Sequence, residues 1–343
     1  MGMMGTMSEP VTPAAAWLAV EPDAAMRAEI ERNIGRPDWV ADHFDAPLRF
    51  GTAGLRGAIG PGPARMNRVT ARLAARALGR VLADDGLAGR GVVVGFDART
   101  GSADYALDSA RVLAAAGVPA ALIDGAVPTP VLARQLLVRG GAAAVMVTAS
   151  HNPRTDNGYK VYWADGTQIR PPVDERIEAR MAEQLAGADL VADGDLAPRH
   201  EVELIATAAA IADYVGAAVR GFEPATDADG AGDADVVYTA LCGVGAETLG
   251  RAFAVAGLAP PIRVVHQCRP DPAFPGLPFP NPEEPGTLDD ATALADERGV
   301  DLVLANDPDA DRLAVAVRTA GRGAPWRRLT GDELGVLLCD HMI

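Results

Sequence analysis

The sequence of 343 residues is 49% hydrophobic, enough apolar material to bury more than one core, and predicts a globular protein of two or three domains. Acidic residues outnumber basic ones by 46 to 31, and the formal net charge of −15 argues against nucleic acids and anionic membranes as partners. Three cysteines without a C-x-x-C pair argue against a disulfide framework and a structural zinc site. Because the sequence also shows no signal-peptide pattern and no membrane-length apolar run, we expect a protein of the reducing cytoplasm.

The first half of the chain predicts alternating strands and helices after a helical extension over residues 1–44. Apolar residues recur at helical spacing from Asn67 to about Asp85, and arginines 68, 72, 76 and 80 form a second stripe that we expect to face solvent. The following predicted elements are strand 91–96, helix 102–116, strand 120–123, helix 129–138 and strand 142–147. This rhythm is typical of βαβ units, so the predicted fold class is α/β, with tandem α/β/α domains and mixed, mostly parallel sheets.

The same rhythm restarts after a polar stretch at residues 187–199, which we interpret as a linker. The predicted elements are helix 205–219, an Asp/Gly/Ala loop at 226–233, strand 236–241, helix 247–256, strand 262–266, a proline-rich loop to 285, helix 288–298 and strand 301–305. The predicted domains are therefore residues 45–200 and residues 201–325.

Residues 326–343 are predicted to begin a third, incomplete domain. A helix with Thr330 or Asp332 as its N-cap starts there, and the sequence then ends at Ile343 in the middle of an apolar pattern. We expect the natural protein to continue beyond this point.

Three carboxylates follow the strand that is predicted at 301–305. In the segment N-D-P-D-A-D-R they are Asp307, Asp309 and Asp311, at alternate positions between two apolar runs, where they repel one another unless a cation neutralises them. An EF-hand would need Gly and Glu where the chain has Arg312 and Arg318, which excludes calcium binding by that route. The alternative is a solvated acidic turn, but the spacing favours a magnesium ion that also binds a phosphate oxygen.

Ser150 follows the predicted strand 142–147 in the segment T-A-S-H-N-P. Catalytic groups in α/β sheets lie just beyond the carboxyl ends of strands, although a serine there can also be a simple turn residue. The segment lacks the G-x-S-x-G pattern of a nucleophile elbow, which argues against an α/β-hydrolase.

Lys160, ten residues after Ser150, is the only lysine of the sequence, and every other basic residue is arginine. Unlike arginine, a lysine can lose its proton when it is partly desolvated, so Lys160 is a candidate general acid or base.

Two glycine-rich segments remain open to more than one interpretation. The segment G-T-A-G-L-R-G at 51–57 lets a phosphate approach the backbone and ends near Arg56, but it is not a Walker A loop and could be an ordinary turn. The segment G-V-G-A-E-T-L-G at 243–250 resembles a dinucleotide fingerprint with its third glycine misplaced, and tight packing of strand against helix is the simpler interpretation.

Taken together, these segments resemble the α-D-phosphohexomutase superfamily of phosphoglucomutases and phosphomannomutases. T-A-S-H-N-P, the following D-N-G-Y-K at 156–160 and N-D-P-D-A-D-R form a specific combination, and the similarity extends from about Leu48 onward. The segments G-T-A-G-L-R-G, P-N-P-E-E at 280–284 and L-T-G-D-E-L-G at 329–335 are most similar to the branch that contains phosphoglucomutase/phosphopentomutase enzymes.

The resemblance implies a role for each matching residue. Ser150 would carry the phosphoryl group, and its phosphate would bind Mg²⁺ together with Asp307, Asp309 and Asp311. Lys160 would transfer a proton, Arg56 and Arg312 would bind the phosphoserine and the transferring phosphoryl group, and His151 would lie beside them. The implied reaction converts sugar 1-phosphates (of glucose, mannose or a pentose) into their 6- or 5-phosphates through a bisphosphate, with glucose 1,6-bisphosphate or a cognate bisphosphate as activator.

The sequence differs from the family pattern in two respects that put some of these implied roles in doubt. Cys242 stands where relatives of this branch have a histidine, and the sugar-binding and phosphate-binding loops of the third and fourth family domains are absent from the sequence. The alternatives are therefore a slow phosphatase that transfers phosphate from Ser150 to water, or a sugar-phosphate-binding module without catalysis.

Overall fold

The computed structural model describes residues 12–51, 54–220, 235–318 and 323–342. The first described elements are three short helices: α1 (Pro13–Val20), α2 (Ala24–Asn33) and α3 (Pro37–Phe44). The Thr12 hydroxyl caps α1 and the Asp23 carboxylate caps α2. The helices pack on the first sheet domain because Trp17, Ile30 and Phe44 are buried in its core.

A six-stranded sheet organises the first half of the chain. Its strands are β1 (Leu55–Ala58), β2 (Val92–Phe96), β3 (Ala120–Ile123), β4 (Ala143–Val147), β5 (Asp156–Trp163) and β6 (Glu203–Ile205). The spatial order is β1-β5-β4-β2-β3-β6, with parallel pairs among β4, β2, β3 and β6 and antiparallel pairs between β1, β5 and β4. The prediction of a mixed, mostly parallel sheet is confirmed.

Helices cover both faces of this sheet. They are α4 (Arg68–Asp84), α5 (Ser102–Ala115), α6 (Thr129–Arg139), α7 (Val173–Ala186) and α8 (Thr207–Ala218). Side chains of one strand alternate between the faces: Val92 and Val94 pack with α4 and α5, whereas Val93 packs with α6 and α8. The sheet is thus buried on both sides, as parallel strands require.

The arginine stripe of α4 was predicted to face solvent, and that prediction was wrong for Arg72, whereas Arg80 at the end of the stripe is 41% exposed. Arg72 is fully buried, with hydrogen bonds to the Asp108 carboxylate of α5, to Asp193 and to the carbonyl of Val191. Arg76 donates to Gln184 and to the carbonyl of Asp189. The stripe therefore anchors the segment 187–199, which packs against the first domain through buried Val191, Leu196 and Ala197.

Arg72→Met is expected to destabilise the protein by about 3 kcal/mol, because it leaves the buried Asp108 carboxylate with one arginine fewer. Urea unfolding would measure this loss as a lower midpoint with an unchanged slope. Arg80→Met is the matched control on the same stripe, since the side chain of Arg80 is 41% exposed and its pair with Asp189 lies at the surface. Equal effects of the two substitutions would contradict a buried anchoring role for Arg72.

A five-stranded sheet organises the second half. Its strands are β7 (Val237–Thr239), β8 (Ile262–Arg263), β9 (Leu302–Asn306), β10 (Leu313–Arg318) and β11 (Trp326–Arg328), in the order β11-β10-β9-β7-β8. β9, β7 and β8 are parallel, and β10 and β11 add antiparallel strands at one edge. Its helices are α9 (Gly245–Val255), α10 (Asp289–Arg298) and α11 (Gly331–Met342).

The element boundaries differ from prediction mainly where strands are short. Ile205 was predicted to start a helix but is the last residue of the edge strand β6. Of the predicted strand 262–266, only Ile262–Arg263 form a strand. Thr330 is the N-cap of α11, since its hydroxyl accepts the amide of Glu333 while the Glu333 carboxylate accepts the amide of Thr330. The predicted loop 226–233 lies outside the described residues. Within the described ranges, no helix has the length and apolar character needed to cross a bilayer.

Candidate active site between the two domains

Ser150 lies three residues beyond Val147, the last residue of β4, in a strained and buried turn. Its φ angle is +53°, a left-handed conformation that is uncommon for a residue other than glycine, and it is 1% exposed. The hydroxyl of Thr148 accepts the amide of Ser150 at 2.8 Å, and the same hydroxyl donates to the Asp97 carboxylate at 2.6 Å. The backbone conformation is therefore held by side chains around it.

The acidic loop after β9 forms the other half of the site. Carboxylate oxygens of Asp307, Asp309 and Asp311 lie within 4.8 Å of one another, and the loop turns through Ala310, which has a φ of +52°. Asp307 and Asp309 are fully buried. The three carboxylates thus lie together beyond the end of β9, and their role as metal ligands stays a prediction.

Asp309 docks on the amino-terminal end of α6 in the first domain. Its carboxylate accepts the hydroxyl of Thr129 at 2.6 Å, and its carbonyl accepts the amide of Thr129 at 2.9 Å. A negative charge is favourable at this end of a helix. Sequence reasoning missed Thr129, because a threonine at the start of a helix normally indicates only a cap.

The serine and the acidic loop meet across the two domains. The Ser150 hydroxyl donates to Oδ2 of Asp307 at 2.6 Å, and the Lys160 ammonium donates to Oδ2 of Asp309 and Oδ2 of Asp311, both at 2.8 Å. Lys160 reaches them from β5, which runs beside the serine strand β4. A candidate nucleophile, a candidate proton carrier and three candidate metal ligands therefore share one site.

The charges of this site shift the pKa values of its acids in opposite directions. Burial raises the pKa of Asp307, and the neighbouring carboxylates of Asp309 and Asp311 raise it further. Burial also disfavours ionisation of Asp309, but the Lys160 ammonium outweighs it and holds the pKa of Asp309 below its usual value. Ionisation is thus favoured at Asp309 and disfavoured at Asp307.

The pKa of Lys160 is not lowered, as desolvation alone would predict. Burial does favour its neutral form, but the carboxylates of Asp309 and Asp311 outweigh burial and raise the pKa of Lys160. In this arrangement Lys160 is a charged hydrogen-bond donor.

Three further predicted side chains surround the serine. Arg56, on β1, donates to the side-chain oxygen of Asn152 at 3.2 Å, and Arg312 lies 3.9 Å from the Asp307 carboxylate. Nδ1 of His151 lies 3.3 Å from the Ser150 hydroxyl. Burial, together with the Arg312 and Arg56 guanidinium groups, lowers the pKa of His151 to about 4, so His151 is neutral at neutral pH.

Gly243 and Gly245 allow tight packing, which is the simpler of the two interpretations that the sequence offered for the segment 243–250. A Cβ on Gly243 would lie 2.3 Å from the backbone of Pro308, and one on Gly245 would lie 2.6 Å from the hydroxyl of Tyr238. The Val244 amide donates to the Pro308 carbonyl at 2.9 Å. This segment therefore packs against the backbone of the acidic loop at Pro308.

Cys242 is buried in the same turn, and burial raises the pKa of its thiol to about 11. It is a neutral packing residue beside Leu241, Phe274 and Leu277.

The residues of the acidic loop fit a hard divalent cation. Oδ1 of Asp309 is buried and has no hydrogen-bond partner, which is costly unless a ligand occupies it. Carboxylate oxygens are the ligands that Mg²⁺ prefers. The cluster would hold the ion through Asp307, Asp309 and Asp311.

The raised pKa of Asp307 predicts a pH-dependent effect of magnesium on thermal stability. Its pKa of about 8 lies above the ordinary value, so without metal the stability from its neutral form is lost as pH rises from about 4 to about 8. Mg²⁺ requires the carboxylate, and its apparent affinity should rise by up to about 10-fold per pH unit below 8. The increase in melting temperature on adding Mg²⁺ should therefore be larger at pH 8 than at pH 6, by calorimetry at constant ionic strength. Equal increases at both pH values would contradict this linkage.

Comparison with known proteins agrees with this geometry. Residues 47–187 match the family model for phosphoglucomutase/phosphomannomutase, alpha/beta/alpha domain I, and residues 212–322 match the model for domain II. The chain belongs to the phosphoglucomutase/phosphomannomutase family.

Individual relatives extend the likeness over most of the chain. It is 36% identical over 335 residues to the phosphopentomutase of Homo sapiens, covering 94% of this chain and 54% of that protein. It is 42% identical over 253 residues to a Haemophilus influenzae protein named "Probable phosphomannomutase", covering 72% of this chain and 49% of that protein. The chain thus spans about half the length of these relatives.

A solved structure shows the same fold. The crystal structure of a phosphoglucomutase/phosphomannomutase family protein from Burkholderia thailandensis superposes with a TM-score of 0.64 at 24% identity, covering 81% of this chain and 55% of that one.

Proposed function

We propose that this chain carries the phosphoryl-transfer half of a sugar-phosphate mutase, in which Ser150 accepts and donates the phosphoryl group. The observation that carries the proposal is the 2.6 Å hydrogen bond from the Ser150 hydroxyl to Asp307, which joins the serine of one domain to the acidic loop of the other. The substrate would be a sugar 1-phosphate of glucose, mannose or a pentose, and the sugar bisphosphate, such as glucose 1,6-bisphosphate, would be both intermediate and activator.

Transfer to the substrate would form a bond between phosphorus and a sugar hydroxyl oxygen and break the bond between phosphorus and the Ser150 oxygen. The hydroxyl proton would leave the sugar, and the serine oxygen would become free to accept the other phosphate of the bisphosphate. Such transfer depends mainly on positioning and on charge stabilisation. A magnesium ion on Asp307, Asp309 and Asp311 would supply positive charge next to the phosphoryl oxygens.

Cationic side chains would supply the remaining charge stabilisation. Arg56 donates to Asn152 of the serine loop, defined as residues 148–156, and Arg312 lies 3.9 Å from the Asp307 carboxylate. Nε of Arg56 is buried without a hydrogen-bond partner. A buried donor without a partner costs free energy that an anionic ligand would recover. His151, neutral and close to the serine hydroxyl, would orient that hydroxyl without adding charge.

Lys160 would move the proton of the sugar hydroxyl. Its ammonium group is bound to Asp309 and Asp311, the same carboxylates that would hold the ion. Engagement of these oxygens by a cation would weaken the two contacts that raise the pKa of Lys160, so that burial would favour its neutral, proton-accepting form.

The proposed domain division follows the site. The serine domain would comprise residues 45–200 after the helical extension 1–44, the acidic-loop domain residues 201–325, and residues 326–343 would begin a third domain. Strand β6 pairs with β3 of the first sheet and β11 with β10 of the second, so each sheet extends a few residues beyond these proposed boundaries. We propose the cytoplasm as the compartment, where sugar phosphates and magnesium are available.

Incubation with glucose 1-phosphate, a trace of glucose 1,6-bisphosphate and Mg²⁺ tests this function. Formation of glucose 6-phosphate would support a mutase, and release of inorganic phosphate alone would indicate the phosphatase alternative. If neither product forms and no phosphate reaches the protein, the proposal is wrong and the chain is a binding module.

A further inference from the structure

Arg99 makes more hydrogen bonds to the serine loop than any predicted site residue. It follows β2 and is 4% exposed. Its guanidinium donates to the carbonyls of Ser150 and Asn152 at 2.6 Å each, of Pro153 at 2.8 Å and of Asp156 at 3.1 Å. One buried side chain thus binds four carbonyls of a segment that begins at the serine and ends at the start of β5.

Asp97 fixes the position of Arg99 and links it to the other side of the serine. Its carboxylate accepts the Arg99 amide at 2.9 Å and lies 3.5 Å from Nε of Arg99. The same carboxylate accepts the hydroxyl of Thr148, which in turn accepts the Ser150 amide. The peptide groups on both sides of the left-handed serine are therefore held by one connected network.

The second domain covers this network. The Arg99 guanidinium lies 5.0 Å from the centre of the Phe274 ring, at cation–π distance. Phe274 is buried with Leu241, Cys242 and Leu277, directly beside the glycine turn that supports the acidic loop. The serine loop is therefore held in place from both domains.

We propose that Arg99 is a positioning residue for phosphoryl transfer, which holds Ser150 in its left-handed conformation and links that conformation to the docking of the second domain through Phe274. This inference rests on the proposed function of Ser150. Arginine is required because its planar fork presents five donors to several acceptors at once, which a lysine cannot reproduce.

Arg99→Met tests the proposal, since it removes every donor while filling much of the same volume. Arg72→Met is the matched control, because Arg72 is also a buried arginine that binds carboxylate and carbonyl groups, but its hydrogen-bond partners lie outside the serine loop. Two readouts are taken at a temperature where all variants are folded. They are hydrogen exchange of residues 148–156 and the single-turnover rate of phosphate transfer from glucose 1,6-bisphosphate to the protein.

The expected result is faster exchange across residues 148–156 in Arg99→Met and a maximal transfer rate lower by about 100-fold, the scale of a small misplacement of a reacting group. The bisphosphate concentration that gives half the maximal rate should change little, because Arg99 is 4% exposed and its guanidinium donates to carbonyls of the serine loop. Arg72→Met should lower stability without changing either readout. Arg99→Lys and Phe274→Leu, which are milder, should shift both readouts in the same direction to a smaller extent.

Exchange and transfer rates in Arg99→Met equal to those of Arg72→Met would overturn the proposal. If Arg99→Met does not fold, the same comparison with Arg99→Lys decides it. If the unmodified protein takes up no phosphate, the proposed function of Ser150 fails, and the positioning claim is decided by hydrogen exchange alone.

Discussion

Ser150→Ala is expected to take up no phosphate from glucose 1,6-bisphosphate, a loss on the order of 10⁴-fold or more in transfer rate, because removal of a nucleophile eliminates covalent transfer. The hydroxyl that is removed donates to Asp307 of the acidic loop at 2.6 Å. Radiolabelled bisphosphate and counting of protein-bound phosphate would measure the loss.

Ser109→Ala is the matched control for this experiment. Ser109 is likewise fully buried, and its hydroxyl donates only to the carbonyl of Tyr105 one helical turn earlier. Its substitution should leave phosphate uptake unchanged. Equal uptake by Ser150→Ala and the unmodified protein would show that another residue is the acceptor.

Asp309→Asn is expected to weaken magnesium binding by at least about 100-fold. Loss of an outer partner of a metal ligand typically costs 10- to 100-fold in affinity, and Asp309 would be a ligand itself. The substitution keeps the shape of the side chain and its contact with Thr129 but removes the charge that faces Lys160. Isothermal titration with MgCl₂ would measure the change.

Asp301→Asn is the control for Asp309→Asn, because Asp301 precedes the same strand β9 at its opposite end and pairs with Arg318. It should leave magnesium binding unchanged. An Asp309→Asn protein that binds Mg²⁺ as tightly as the unmodified protein would exclude the acidic loop as the metal site.

The position of each motif could be predicted from the sequence, because the serine and the three carboxylates each follow an apolar strand, and catalytic groups of α/β sheets lie beyond such strand ends. That the two motifs meet followed only from the family resemblance, because β4 and β9 belong to different sheets and the contact depends on how the two domains pack. The single lysine of the sequence lies beside the acidic loop, since Lys160 contacts Asp309 and Asp311, and its role in proton transfer stays a prediction.

Other residues could not be identified because their roles depend on packing between distant segments. Arg72 and Arg99 look like ordinary arginines in the sequence, yet both are buried by segments that lie far along the chain. A stripe of charged residues on a helix is exposed only if no other part of the chain packs over it. The sequence does not show that the segment 187–199 packs over the stripe of α4. The pKa of Lys160 depends in the same way on its partners, which outweigh its burial.

The most direct test of the account is to locate phosphate on the chain after incubation with glucose 1,6-bisphosphate and Mg²⁺. The tryptic peptide that spans residues 140–154 contains two hydroxyl side chains, Thr148 and Ser150. Fragmentation of this peptide should place one phosphoryl group on Ser150. A peptide without phosphate, or a phosphate located on Thr148 or elsewhere in the chain, would contradict the central claim.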